Sequence, residues 1–178
     1  MDKEQFWQLI TESKQAAGIN LDNQTKFLIE KLKQLPFPDI LDYRHFMDEY
    51  LHLSYTSHLW AVAFITMGGC SDDSFDYFRG WLIAQGKEVF DQALGNPDSL
   101  LQPLDDYLKA KIDPECENMW YVAIEAYEQR YNKFDFYDAL EERYPDKIKS
   151  PTMNFDWEED DEESLSKIAP IIFAKYWN

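Results

Sequence analysis

The stretch GGCSDDSFDYFRGWLIAQG, residues 68–86, decides the fold. It reads as one helix punctuated at both ends. Gly68 and Gly69 close whatever precedes it, Ser71 offers its side chain to an orphan first-turn N–H, and Gly86 suits the left-handed position after the last turn. With each residue advancing about 100°, Phe75, Tyr77, Phe78, Trp81, Leu82 and Ala84 spread over most of the circumference. One narrow stripe stays polar, formed by Asp72, Asp76 and Arg79 with Gly80 and Ile83 beside it. A helix apolar on most sides belongs inside a domain. The expectation is therefore an all-α single domain, a multi-helix bundle around a buried central helix at about residues 71–86.

Outward from this helix the same signals recur. Asp2 and Gln5 imitate a capping box, and Phe6, Leu9, Ile10 and Ala17 follow at helical spacing until Gly18. A second helix is predicted from about Asp22 to Leu35, ended by Pro36, and a third over about 38–54, started by Pro38. The apolar segment Leu59 to Met67 is too short to span a bilayer and reads as a buried helix capped by Ser57. Lys87 to Leu94 is helical, Pro97 opens a short turn through Leu101, and Gln102 to Ile112 is a weaker helix or loop. Asp113-Pro114 is a start signal for a helix carrying Cys116, Met119, Trp120, Ala123, Ile124, Tyr127 and Tyr131 on one face. A short helix is predicted within Lys133 to Tyr144, and Pro145 to Trp157 shows no period. Helical spacing returns at Leu165, Ile168, Ile172 and Tyr176 around Pro170. The region at about 145–164 is thus expected to be the less regular, acidic part of one domain covering 1–178. Few segments alternate with period two, and none is bounded by Asn-Gly or Asp-Gly turns.

Charge excludes some partners. Thirty-four acidic against seventeen basic residues give a formal charge of −17, which repels nucleic-acid phosphates and anionic membranes and attracts basic proteins. MDKEQFWQLI lacks the basic and long apolar regions of a signal peptide, so the chain is expected to start at its own methionine. Two cysteines, Cys70 and Cys116, without such a peptide point to a reducing, cytoplasmic setting.

The GGCSDD element, the F-x-Y-F-R-x-W-L element and the A-x-G element are here filled by Gly68 to Asp73, Phe75, Tyr77, Phe78, Arg79, Trp81, Leu82, Ile83 and Gly86. Together with Phe6-Trp7 and the later DPECENMWYVAIEAYE, they resemble an uncharacterised bacterial family known only as a domain of unknown function, over about residues 1–132. The resemblance implies the helical fold and brings no activity with it.

Four constellations could carry chemistry. Ser71, Asp72, Asp73, Asp76 and Arg79 read first as structure, since acidic residues suit a helix's first turn and Asp76 to Arg79 is an ordinary i, i+3 pair. As a site they would offer carboxylates beside an anion-holding guanidinium. His45, Glu49 and His52 share one helix face, but the seven-residue histidine spacing suits a single metal ion poorly, so they read as a solvated face. Cys70 precedes two aspartates that raise a thiol's pKa, and both cysteines read as small buried hydrophobes. The run Asp156, Trp157, Glu158, Glu159, Asp160, Asp161, Glu162 and Glu163 sets one aromatic ring among seven carboxylates, which suits a surface for a basic partner.

Two functions follow as expectations. The first is a cytoplasmic interaction protein, an immunity protein neutralising a basic toxin domain, with no cofactor or metal and with Asp156 to Glu163, Asp72 and Asp73 as the partner-binding residues. The alternative is an enzyme acting at Asp72, Asp76 and Arg79. A pocket at that stripe favours the enzyme, and a flat acidic surface favours the interaction protein.

Overall fold

Local caps set several helix boundaries in the computed structural model, which describes residues 1–146, 148–149 and 152–177. α1 (Lys3–Ala17) opens with the full Asp2/Gln5 capping box and ends at Gly18, whose φ of 62° is the left-handed conformation that glycine tolerates. α2 (Leu21–Leu32) is capped by Asn20, and α3 (Phe37–Leu53) carries Pro38 in its first turn. α4 (Ser57–Met67) is capped by Thr56 and not by the expected Ser57, which is the first helical residue. α5 (Asp72–Ala84) has Ser71 as its cap, its side chain accepting from the Ser74 N–H at 3.2 Å. α6 (Lys87–Gly95), a 3₁₀ turn at Pro97–Leu100 and α7 (Leu101–Leu108) follow, then a second 3₁₀ turn at Glu117–Trp120. α8 (Val122–Tyr131), α9 (Phe136–Arg143), α10 (Glu162–Ile168) and α11 (Pro170–Tyr176) complete the chain. The fold is all-α, with no strand among the described residues.

Tertiary contact overrides one start signal. Asp113-Pro114 begins no helix; the chain reaches Glu117 before it winds, and the α-helix begins only at Val122. The reason lies in α5. The Cys116 N–H donates to the Tyr77 carbonyl at 2.8 Å, so the 113–116 segment, which bends at Pro114 with the Glu115 N–H on the Asp113 carbonyl, is pinned across α5. Gly80 makes this crossing possible, because a Cβ there would meet the Cys116 carbonyl oxygen at 2.6 Å.

α5 is the centre of the core, as its apolar circumference requires. Phe75, Phe78, Trp81, Leu82, Ile83 and Ala84 are all fully buried. α4 is buried continuously from Leu59 to Ile65, and such a helix needs covers on every side. α10 and α11 supply one of them, with Leu165, Ala169 and Ile172 buried and Trp177 stacked on Phe64 at 5.8 Å. Helical spacing around Pro170 resolves into two helices because proline sits in the first turn of α11, after a break at Ala169. Asp98, from the first 3₁₀ turn, accepts the Ile171 and Ile172 N–H groups and so caps α11 from outside. Asp105 on α7 binds Lys109 at 2.8 Å, Lys175 at 2.5 Å and the Tyr176 hydroxyl.

Two glycines on neighbouring helices give opposite expectations. Gly80→Ala forces a Cβ onto immobile backbone and lowers stability by about 1–3 kcal/mol. Gly95→Ala, with nothing within 4 Å, is neutral or stabilising by up to about 1 kcal/mol. Urea midpoints of both variants check this, and an unchanged midpoint for Gly80→Ala refutes the close crossing. Asp105 gives a pH test. Hydrogen bonds from Lys109, Lys175 and Tyr176 hold its carboxyl well below the usual range. Its contribution is therefore present above the unfolded value of about 3.9 and is lost as pH falls below it. Limited proteolysis is expected to release the C-terminal helices first in acid, and Asp105→Asn to make that release occur at neutral pH.

Candidate functional site

Arg79 is the buried member of the polar stripe, with only 5% of its surface exposed. One terminal nitrogen donates to the Leu51 carbonyl at 2.6 Å, the other to the Asp76 carboxylate. The guanidinium also lies over the rings of Tyr55 at 4.8 Å, Phe75 at 5.1 Å and Trp120 at 5.7 Å. Burial pushes its pKa below the usual value, and the Asp76 charge opposes that shift. The stripe does not act as one enclosed group. Asp76 is partly exposed, while Ser71, Asp72 and Asp73 face solvent at the helix start, and Asp72 forms no ion pair among the described residues.

Above this guanidinium lies a cleft of about 610 Å³, bounded by α3, α5, α9, Trp120, Asp146, Ile148 and Lys149. Asp72, Asp76 and Arg79 all line it, so the stripe opens on a pocket, the feature expected of the enzyme alternative, and is not a flat acidic surface. From α3 come Arg44, His45, Asp48 and His52; from α9 come Tyr137, Leu140 and Glu141. Arg44 donates from Nε to Asp48 at 2.9 Å and from Nη1 to the Trp120 carbonyl at 2.8 Å. Burial raises the Asp48 pKa despite the facing Arg44. Of the expected solvated face, His45 and His52 line the cleft, while Glu49 pairs with Lys3 at 2.7 Å. His45 stacks flat on Tyr144 at 3.8 Å, and His52 Nδ1 is buried without a partner.

The acidic run is ordered by contacts that no local pattern announces. Asp156 accepts from the Ser57 hydroxyl at 2.5 Å and meets His58 Nε2 at 2.7 Å, at the start of α4. The Ser57 bond, with His58 beside it, holds the Asp156 pKa below the usual range. Trp157 corrects the expectation of an exposed anchor. It is 6% exposed, donates from Nε1 to the Ser57 carbonyl at 2.9 Å, and packs on Phe64 at 5.4 Å, because the apolar side of α4 is the nearest place to bury an indole. Asp161 caps α10 by accepting the Glu163 and Ser164 N–H groups at 3.0 and 3.2 Å. Glu158, Glu159, Asp160, Glu162 and Glu163 are exposed.

This clasp brings the two acidic sets together. A groove of about 570 Å³ is lined by Asp72, Glu158 and Glu159, with Ser71, Cys70 and the rings of Trp60, Phe155 and Trp157. Phe155 is half exposed and edges onto Trp60 at 5.3 Å. Sequence reasoning missed Phe155, Trp60 and the α9 wall of the cleft, and no spacing signal could have supplied them. Both thiols are free, and burial pushes Cys70 and Cys116 up to about 12, with Glu115 and Asp72 adding to the rise at Cys70. They stay protonated.

The fold is all-α, with a buried, ion-paired arginine beneath a polar aromatic cleft and an acidic groove beside it. The chain belongs to the family described as protein of unknown function (DUF4240), whose model matches residues 1–129. Comparison with curated proteins and with solved structures gives no match. The matched span holds Asp48, Asp72, Asp76 and Arg79, whereas α9, the acidic run, α10 and α11 lie outside it. Cleft and groove are thus each completed by residues beyond the matched span.

The two stripe aspartates separate in their consequences. Asp76→Ala leaves a buried cation without its counter-charge and is expected to cost about 1–3 kcal/mol. Asp72→Ala removes only a first-turn charge, worth less than about 1 kcal/mol. Urea denaturation at neutral pH distinguishes them; equal midpoints would mean that water, and not Asp76, satisfies Arg79.

Proposed function

We propose that this protein is a cytoplasmic interaction protein, a bacterial immunity protein that binds and occludes a basic toxin catalytic domain. One observation carries the reading: carboxylates distant in the chain, Asp72 at the start of α5 and Glu158 and Glu159 of the C-terminal acidic run, line a single groove. A formal charge of −17 steers a basic partner to such a face, raising association from a neutral ~10⁵–10⁶ toward ~10⁸ M⁻¹s⁻¹ at low salt. The aromatic rings in the groove would then exclude water and slow dissociation. Trp157 serves this face from below by fixing the run, and Phe155 is the ring within a partner's reach. No helix among the described residues is long and apolar enough to cross a membrane. Neither nucleic acid nor a cofactor enters this reading.

An enzyme acting at Asp72, Asp76 and Arg79 is the second reading, favoured by the cleft that opens onto all three. It stands second because Asp76 is engaged by Arg79 and both thiols are held protonated. Side chains so engaged are better suited to holding a ligand than to attacking one.

The test uses stopped-flow binding to the products of the neighbouring genes, basic catalytic domains first, at two ionic strengths, with a growth-protection assay. Replacing Glu158, Glu159 and Asp160 by lysine while keeping Asp161 as the α10 cap should slow association at least tenfold at low salt and flatten its salt dependence. Phe155→Ala should speed dissociation by an amount worth about 1–2 kcal/mol, with little loss of stability. Trp157→Ala should instead destabilise the fold by about 3–5 kcal/mol. Parental kinetics and protection in both surface variants would remove this face from consideration, and no binding by the parent would remove the immunity reading.

A further inference from the structure

The cleft beside α3 and α5 presents an imbalance between charge and hydrogen bonding. Arg44 and Arg79 each carry five N–H donors. Each is shown using one donor on a carboxylate, Asp48 or Asp76, and one on a backbone carbonyl, Trp120 or Leu51. Their charges are answered while donors remain. One of these donors, Arg79 Nε, is buried without a partner; His52 Nδ1, a donor or an acceptor according to the ring's tautomer, is also buried without one, and both residues line the same cleft. An acceptor oxygen would satisfy such a floor without needing to bring a charge. A net anion is disfavoured, because Asp72 and Asp146 stand at the cleft and the whole chain carries −17. The walls suit a flat molecule, with Trp120, Tyr137 and Tyr144 among them. The volume of about 610 Å³ lies in the range typical of small-molecule sites.

We propose that this cleft binds a small, neutral, planar molecule bearing a carbonyl-type oxygen, an aromatic or heteroaromatic amide or lactam, with the oxygen on the Arg79 floor and the ring among the aromatic walls. The floor residues lie within the family-matched span, and the Tyr137 wall lies beyond it. The family domain would therefore supply the acceptor-binding floor, and the C-terminal part the ring contact. The site is independent of partner binding at the acidic groove, although Trp60 and Asp72 border both.

The experiment compares benzamide, benzoate and benzamidinium, which share one ring and differ in charge, by calorimetry and thermal unfolding of the full chain. Benzamide should bind with one-to-one stoichiometry and raise the unfolding midpoint by about 3–6 °C at ten times its Kd. Benzoate and benzamidinium should each bind at least about tenfold more weakly. Tyr137→Ala, at a half-exposed position where the fold survives, should weaken benzamide about 2- to 10-fold. The Glu158→Lys, Glu159→Lys variant should bind benzamide as the parent does, which separates this site from the groove. Saturable binding by none of the three compounds, tighter binding of either charged one, or a Kd unmoved by Tyr137→Ala would each overturn the proposal.

Discussion

A guanidinium that keeps 5% of its surface in contact with solvent must find inside the protein what water would have given it. Arg79 finds a carbonyl on α3, a carboxylate one turn earlier on its own helix, and three aromatic faces. Leaving a buried charge unpaired costs several kcal/mol, so these partners constrain one another. The Leu51 carbonyl fixes how α3 lies on α5. Asp76 must stay at the cleft edge, half in water, and the rings of Tyr55, Phe75 and Trp120 must close over the cation. The cleft exists because this assembly has a polar top that apolar side chains cannot cover.

The crossing at Gly80 is the second constraint. By letting the Cys116 backbone touch α5, it delays the following helix and delivers Trp120 to the cleft, where its carbonyl accepts from Arg44 and its indole donates to the Asp76 carbonyl at 3.1 Å. A single missing Cβ thus connects the central helix to both arginines. The C-terminal helices act in the same way at α4. They cover α4, whose apolar surface has no other complete partner, and in doing so hold the acidic run beside the first turn of α5.

Structure and charge together distinguish the two surfaces proposed to bind. At the groove carboxylates lie exposed among aromatic rings, which suits a basic protein surface. At the cleft both arginines are paired and hydrogen-bond donors are left over, which suits a neutral acceptor. Neither depends on a reactive side chain, consistent with two thiols held protonated and with carboxylates engaged by arginines.

Capping residues, glycines, prolines and apolar period determined the helices from sequence alone, because each acts on backbone within a turn or two. Asp2 with Gln5, Gly18, Ser71 and Pro38 all operate where their spacing placed them. The apolar circumference of residues 75–84 likewise determined that this helix is central, since burial depends on composition around the axis. What only the tertiary structure decided are the relations between distant residues. Asp113-Pro114 lost its helix to a crossing over Gly80, and Trp157 proved a buried clasp on α4 because an indole near an apolar helix gains more from burial than from exposure. Asp72 met Glu158 and Glu159, and α9 walled the cleft, for a reason no window of sequence contains: side chains far apart in the chain are brought together by the packing of whole helices.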